Sequence, residues 1–330
     1  MLTISVVIPT YNCQHYIAKA IESAIAQEVS EIIVVDDGST DNTHSVVDEF
    51  LSRSLQPKLR YVRQPNRGVC AARNHGIRIA QGELVAFLDA DDWFLPNKLA
   101  KQKALFAADI ELGLVQSGWQ RVNESGQLIF EVKPWESVPE LTLASWLRHK
   151  PVLPSALMIR KCWLEKVGGF DPAFRAAEDV ELVSRLAVQG CQSAWLKEVA
   201  VSYRQRSGSA MGNGLIQASD LSKFLDKFFQ QSDLPATAQL LENSVRYHTL
   251  VWAAWYLQST GYLSEMADYL RRAWQHSPYL PAAALVHWVE SFTSFSAEAG
   301  RPIDIRALLD SPDWQGLVRW LLVTKAVPAQ

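Results

Sequence analysis

Four short, nearly continuous apolar runs open the chain: Ile4 to Ile8, Glu31 to Val35, Leu59 to Arg63 and Leu84 to Leu88, each bounded by turn residues. A strand with one wet face alternates apolar and polar residues, so unbroken runs need cover on both faces, as in a parallel sheet between helices. The segments between them carry helical spacing. Ile17, Ala20, Ile21, Ala24 and Ile25 follow one stripe, and Val69, Ala72, Gly76 and Ala80 another. The pattern to about residue 205 predicts an α/β domain, a mostly parallel central sheet with helices on both faces.

Right-handed crossovers fix how such strands follow one another, and ligands collect beyond the strand C-termini. The polar clusters fall there. The first run ends in Pro9-Thr10-Tyr11-Asn12, the second in Asp36-Asp37-Gly38-Ser39-Thr40-Asp41, and the fourth in Asp89-Ala90-Asp91-Asp92.

After about residue 215 the pattern changes. The Gly-rich stretch Gly208 to Gly214 gives way to helix-period sequence, with Leu221, Phe224, Leu225, Phe228 and Phe229 on one stripe. The chain therefore divides into 1–215, an α/β domain, and 216–330, an all-α C-terminal subdomain. Within the latter, Pro235 to Thr260 and Leu263 to His276 resemble a single tetratricopeptide-type helix pair, which alone cannot bury its own face. Tryptophans beyond residue 250 are expected to pack this subdomain. Residues 115–160 hold Trp119, Trp135 and Trp146, which suit either stacking on a ligand or packing.

Charge excludes some partners. With 32 Lys and Arg against 35 Asp and Glu, the net charge is -3, so no basic field exists to hold nucleic acid or anionic lipid. Any phosphate binding must be local. Cys13, Cys70, Cys162 and Cys191 lack paired spacing, and the seven histidines lack metal-type spacing, so neither set is given a metal role. No apolar run reaches the ~20 residues of a membrane span. The reading places the chain in the cytoplasm, with peripheral contact at the inner membrane face left open.

Asp89-x-Asp91 is the most informative cluster, because carboxylates at alternate positions project to one side and can share a hard cation. An ion held by one or two carboxylates fills its shell with substrate phosphates, which points to a diphosphate ligand. The competing reading is an acidic turn ahead of a helix near Pro96-Asn97. In the second cluster one carboxylate suits a base N–H or ribose hydroxyl, while Thr40 or Asp41 suits a helix N-cap. Asn66-Arg67-Gly68 and Arg73-Asn74 add cations and amide donors close to a helix start. Glu178-Asp179 reads as first-turn acids of a following helix, or as an acid–base pair.

Taken in order, Pro9 to Asn12, Asp36 to Asp41, Asn66 to Gly68 with Ala72 to Asn74, and Asp89 to Asp92 resemble the inverting family 2 glycosyltransferases of the A-type fold. Gly168-Gly169-Phe170-Asp171 and Glu178-Asp179 extend the likeness over about residues 1 to 207. The resemblance implies a metal-dependent enzyme with a nucleotide-diphosphate-sugar donor, preferably a UDP-sugar, and a glycan, lipid-linked or other hydroxyl acceptor. It implies that Asp91 holds Mn2+ or Mg2+ against the diphosphate and that Asp89 lies nearer the ribose. Asp37 reads the base beside a wall of Pro9 and Tyr11, and Arg73 supports the pyrophosphate. Asp179 is the general base, and Glu178 orients the acceptor side.

One departure stands out. Arg206 occupies the place of a histidine that many members use at the metal or diphosphate, and arginine pairs with phosphate but does not ligate a cation. The family's processive synthases carry a Gln-x-x-Arg-Trp segment that is absent here, so a single-addition enzyme of polysaccharide biosynthesis is expected. A nicotinamide dehydrogenase would need a G-x-G-x-x-G turn after the first strand, where Asn12-Cys13-Gln14-His15-Tyr16 has no glycine. The non-enzymatic alternative is an inactive scaffold acting through its helical region.

Overall fold

In a computed structural model, which describes residues 2–53, 57–206 and 213–323, side chains along β1 (Ile4–Thr10) alternate between two hydrophobic cores. Ile4, Val6 and Ile8 enter one and Val7 the other, as the two-residue period of a strand requires. β2 (Glu31–Asp36) repeats this, with Ile32 and Val34 on the first face and Ile33 and Val35 on the second. Between and after them come α1 (Ile17–Ile25), α2 (Thr43–Leu51), β3 (Lys58–Arg63), α3 (Val69–Ile79) and β4 (Leu84–Phe87). The strands β3-β2-β1-β4 lie parallel in that order, which puts the ends of β1, β2 and β4 on one edge.

The rest of this sheet departs from the expected mostly parallel arrangement. It holds β5 (Trp93–Phe94), β6 (Leu112–Val122), β7 (Leu128–Val132), β8 (Leu157–Arg160) and β9 (Gln192–Arg204). β8 runs antiparallel to β4 and β6, and β6 runs parallel to β9 and antiparallel to β7. The reason lies in the connections: β6 and β7 are joined by a tight turn at Asn123–Gln127, which reverses the chain without a crossover helix. α4 (Lys98–Ala108) joins α1 and α2 on the first face through Leu99 and Phe106. α5 (Leu143–His149), α6 (Lys161–Val167) and α7 (Glu178–Val188) join α3 on the second through Trp146, Leu164, Leu182 and Leu186.

The chain divides into two compact units, Met1–Ser209 and Ala210–Gln330. Residues 207–212 of the Gly-rich stretch lie outside the described residues. The second unit is helical: α8 (Gly214–Phe229), α9 (Ala236–Gln239), α10 (Glu242–Ser259), α11 (Leu263–Trp274), α12 (Pro281–Ala299), α13 (Ile305–Asp310) and α14 (Pro312–Val323). α10 and α11 pack together, turning at Gly261 with φ +90°, and α8, α12 and α14 pack against them. Trp255, Trp274, Trp288 and Trp314 are buried there, with Trp255 Nε1 donating to Ser296 Oγ at 2.8 Å. No helix among the described residues is long and apolar enough to cross a membrane.

Candidate active site

Two strand-end loops are laced together at the rim. Asn12, in the left-handed region at φ 51°, accepts from Thr40 N at 2.8 Å and donates its own N–H to Ser39 Oγ at 2.9 Å. Asp41 accepts from Gln14 N and from the N–H and hydroxyl of Thr43, so it serves the start of α2. Pro9 is buried within β1, in register with Val35, whereas Tyr11 stands 47% exposed on the rim.

Asp37 is buried. Its Oδ1 accepts from Gln64 Nε2 and Arg67 N, and its Oδ2 from Gly68 N at 2.7 Å. The carboxylate thus shapes the Asn66–Gly68 loop, where Gly68 takes φ +90° immediately before α3. Asp36, fully buried, accepts from Ser39 N and from the Tyr61 hydroxyl.

Arg73, expected to support the pyrophosphate, is engaged by carboxylates of the protein itself. It is buried on α3, with Nη2 donating to Asp89 Oδ1 and Nη1 to Glu178 Oε1, both at 2.7 Å, and its guanidinium lies 5.1 Å from the Phe170 ring centroid. Two carboxylates hold its charge firmly in place despite burial. Phe170 is fixed by Asn74, which accepts from Phe170 N and donates to Phe170 O. The turn carrying it needs glycine: Gly169 has φ +73°, and a Cβ there would meet Asn74 Oδ1 at 2.3 Å. Arg73 therefore joins the end of β4 to the start of α7, segments far apart in sequence.

Glu178 is buried and spent on Arg73, while its neighbour Asp179 is half-buried. Burial first, then the Glu178 charge, push the Asp179 carboxyl up to about 7. A carboxylate titrating there is matched to accepting a proton near neutrality.

The acidic turn after β4 is compensated by arginines. Asp89 pairs with Arg73, and Asp91 Oδ2 accepts from Arg206 Nε at 2.6 Å. Asp92 is buried, accepts from Ser155 Oγ at 2.6 Å and Arg204 N at 3.0 Å, and is pushed well up by burial and by the Asp91 and Asp89 charges. Arg204 donates from Nε to Asp91 O and lies over the Tyr16 and Trp93 rings. Ser155 and Arg204 went unread in the sequence because single residues outside a repeated pattern carry no signal there.

The Mn2+ or Mg2+ implied at Asp91 does not fit this arrangement. Hard divalent ions want several oxygen ligands, and Asp89, Asp91 and Asp92 each already hold a donor. No group of three or more His, Cys, Asp or Glu side chains suited to an ion occurs among the described residues. Trp119 and Trp146 are buried as packing residues, and Trp135 packs against Trp195 and lies close to Gly118. The cysteines are free, all buried except Cys162.

The family model described as "Glycosyl transferase family 2" matches residues 5–154, the stretch that carries every one of these strand-end loops. Residues 5–154 thus resemble glycosyltransferase family 2. An uncharacterized glycosyltransferase of Rickettsia felis is 32% identical over 186 residues, 54% of this chain and 30% of that protein. A chondroitin synthase of Escherichia coli is 29% identical over 191 residues, 57% of this chain and 27% of that protein. The chain thus spans less than a third of either relative.

Among solved structures, residues 1–349 of TarS from S. aureus in complex with UDP-GlcNAc superpose with a TM-score of 0.65 at 18% identity, covering 92% of this chain and 93% of that one. The mannosyltransferase PcManGT from Pyrobaculum calidifontis, in complex with GDP-Man and Mn2+, gives 0.62 at 22% identity, covering 97% and 85%. At these identities the likeness shows the fold, the A-type glycosyltransferase architecture with a helical C-terminal region.

Proposed function

We propose that this chain is an inverting, non-processive family 2 glycosyltransferase that moves a sugar from a nucleotide-diphosphate sugar, a UDP-sugar by preference, to the hydroxyl of a glycan, lipid-linked or other acceptor. Donor binding and chemistry are assigned to Met1–Ser209. The observation that carries the reading is Arg73, which bonds Asp89 and Glu178 at once and so brings the donor-side turn and the proposed base into one site. The complexes of the structural neighbours with UDP-GlcNAc and GDP-Man support a nucleotide-sugar donor.

In the reaction, Asp179 takes the proton of the acceptor hydroxyl as its oxygen bonds to the anomeric carbon. The bond from that carbon to the diphosphate breaks with its electron pair on the departing oxygen, and the opposite-face attack inverts the centre. Glu178 and Arg73 hold α7 so that Asp179 is aimed across the reacting carbon. Tyr11, with Pro9 behind it, forms the wall beside the base, Asp37 shapes the loop that meets it, and Asp89 lies toward the ribose. No step is routed through a divalent ion at Asp91, because the ion expected there meets a carboxylate that Arg206 already engages.

The test is release of nucleoside diphosphate from a panel of nucleotide sugars, with the product anomer read by NMR. A β-linked product from an α-linked donor is expected, and Asp179→Asn should lower kcat by about 10²- to 10⁴-fold. Wild-type rates in that variant, or no donor consumed from the panel, would sink the reading. Mass spectrometry of the product should show one sugar added, and a ladder of sizes would replace single addition with processive transfer.

A further inference from the structure

We propose that Arg206 supplies the positive charge that the leaving diphosphate requires, so that this chain binds its donor without a divalent ion. The inference rests on the transferase reading above. Arg206 is held in place by the sheet: it follows β9, whose pairing continues one residue past the strand through Gln205 N donating to Val122 O at 2.8 Å. From there its Nε reaches Asp91 Oδ2 at 2.6 Å, and its guanidinium sits 5.4 Å from the Tyr16 ring centroid. Side-chain exposures of 23% for Arg206 and 19% for Asp91 put the pair at the mouth of the site rather than in the core.

Each carboxylate of this turn already holds a donor. Asp89 answers Arg73, Asp91 answers Arg206, and Asp92, deeply buried and bonded to Ser155 and the Arg204 amide, faces no open space. A divalent ion, strongly hydrated in water, would have to displace Arg206 to reach Asp91. A guanidinium presents five N–H donors in a fork. The Asp91 contact uses Nε, and both Nη groups lack a hydrogen-bond partner among the described residues. A fixed, always protonated fork with two open amino groups matches a diphosphate's oxygens and cannot lose its charge near neutral pH. Asp91 then acts as a positioning residue: it aims Arg206 instead of ligating an ion.

In the transfer, the electron pair of the broken anomeric bond goes to the diphosphate oxygen and the acceptor proton goes to Asp179. The charge arising on the diphosphate is met by the Arg206 guanidinium, which transfers no proton and forms no bond.

Calorimetry of the full chain with UDP and with GDP, in EDTA and in manganese, decides the matter. The wild type is expected to bind at least one of the two in EDTA within about threefold of its affinity in manganese. Arg206→Ala should weaken binding in EDTA by about ten- to a hundredfold, the loss of charge-assisted hydrogen bonds. Manganese should restore part of that loss, because Asp91 is then free to take an ion. Arg206→Gln, which keeps the length of the side chain, guards against a folding defect and should show the same loss. Electron paramagnetic resonance of Mn2+ alone should show no site in the wild type and a weak one in Arg206→Ala. Binding of wild type only in manganese, or undiminished binding of Arg206→Ala in EDTA, would overturn the inference while leaving the transferase reading intact. Failure to bind either nucleotide in both buffers would overturn the transferase reading itself, and this inference with it.

Discussion

At the scale of single residues, Asp179 carries opposing consequences for activity and stability. Its carboxyl is pushed up to about 7 by burial and by Glu178, so the base form grows as pH rises through that value, and kcat/KM should climb along an acid limb centred near it. A limb centred near pH 4 would mean that Asp179 titrates as a solvated acid and takes no proton in the reaction. The stability sign runs the other way. A carboxyl whose folded pKa lies above its unfolded one favours folding while protonated, and this contribution is lost as pH rises from about 4 to about 7. At neutral pH the ionised form is a cost to the fold, so Asp179→Asn should raise Tm at pH 8 while slowing transfer, as expected of a strained functional group. Arg73 behaves in the opposite manner: Arg73→Ala leaves Asp89 and Glu178 unpaired and should destabilise by about 3–5 kcal/mol in urea unfolding. The clustering of Asp89, Asp91, Glu178 and Asp179 was legible as acidic residues at strand ends and a helix start. The burial of Arg73 was not, because it depends on Glu178 and Phe170, which only the tertiary fold brings to α3.

At the scale of elements, the parallel half of the sheet was legible because β1, β2 and β4 carry nearly continuous apolar runs, and only cover on both faces allows that. The other half was not. β6 buries Gln116 and Ser117, and β9 mixes exposed Lys197 and Glu198 with buried Val201, so neither shows the hydrophobic period that marks a strand. Gly76 read as one member of a helical stripe, yet its reason is steric: a Cβ there would meet Val7 Cγ1 at 2.3 Å, so α3 lies against β1 with no room for a methyl group. Gly76→Ala should therefore destabilise by about 1–3 kcal/mol through overpacking, outweighing the ~1 kcal/mol that alanine adds to helix propensity. Urea unfolding of Gly76→Ala, Val7→Ala and the double variant checks it. The two substitutions should be less costly together than their sum by at least about 0.5 kcal/mol, and strict additivity would show that this contact does not set the α3–β1 distance.

At the scale of the whole molecule, every residue placed in the site, from Pro9 to Arg206, lies in the unit Met1–Ser209. The helical unit Ala210–Gln330 has its own buried residues, including Trp255, Trp288 and Phe292. The chain was readable as two parts because the apolar period changes from strand-and-helix to helix alone. What the second part contributes was not readable, since an apolar stripe on a helix states only that the face is covered. If the first unit binds the donor, a nucleotide acts there. Hydrogen exchange measured with and without saturating UDP or GDP should slow in the strand-end segments 10–16, 36–42, 64–73 and 88–92, and at the start of α7. Those loops are tied by local polar contacts such as Thr40 N to Asn12, Gly68 N to Asp37 and the Arg206–Asp91 pair, and loops of that kind open more readily than core strands. A ligand that binds the closed form stabilises it by mass action, by about 2.7 kcal/mol at a hundredfold excess over Kd, and a local opening of smaller cost is where that energy becomes visible. The core of β1 and β2, already protected by global stability, should change less. Protection concentrated in 214–323 instead would move the nucleotide site out of the sheet and separate it from Arg73, Asp89 and Asp179.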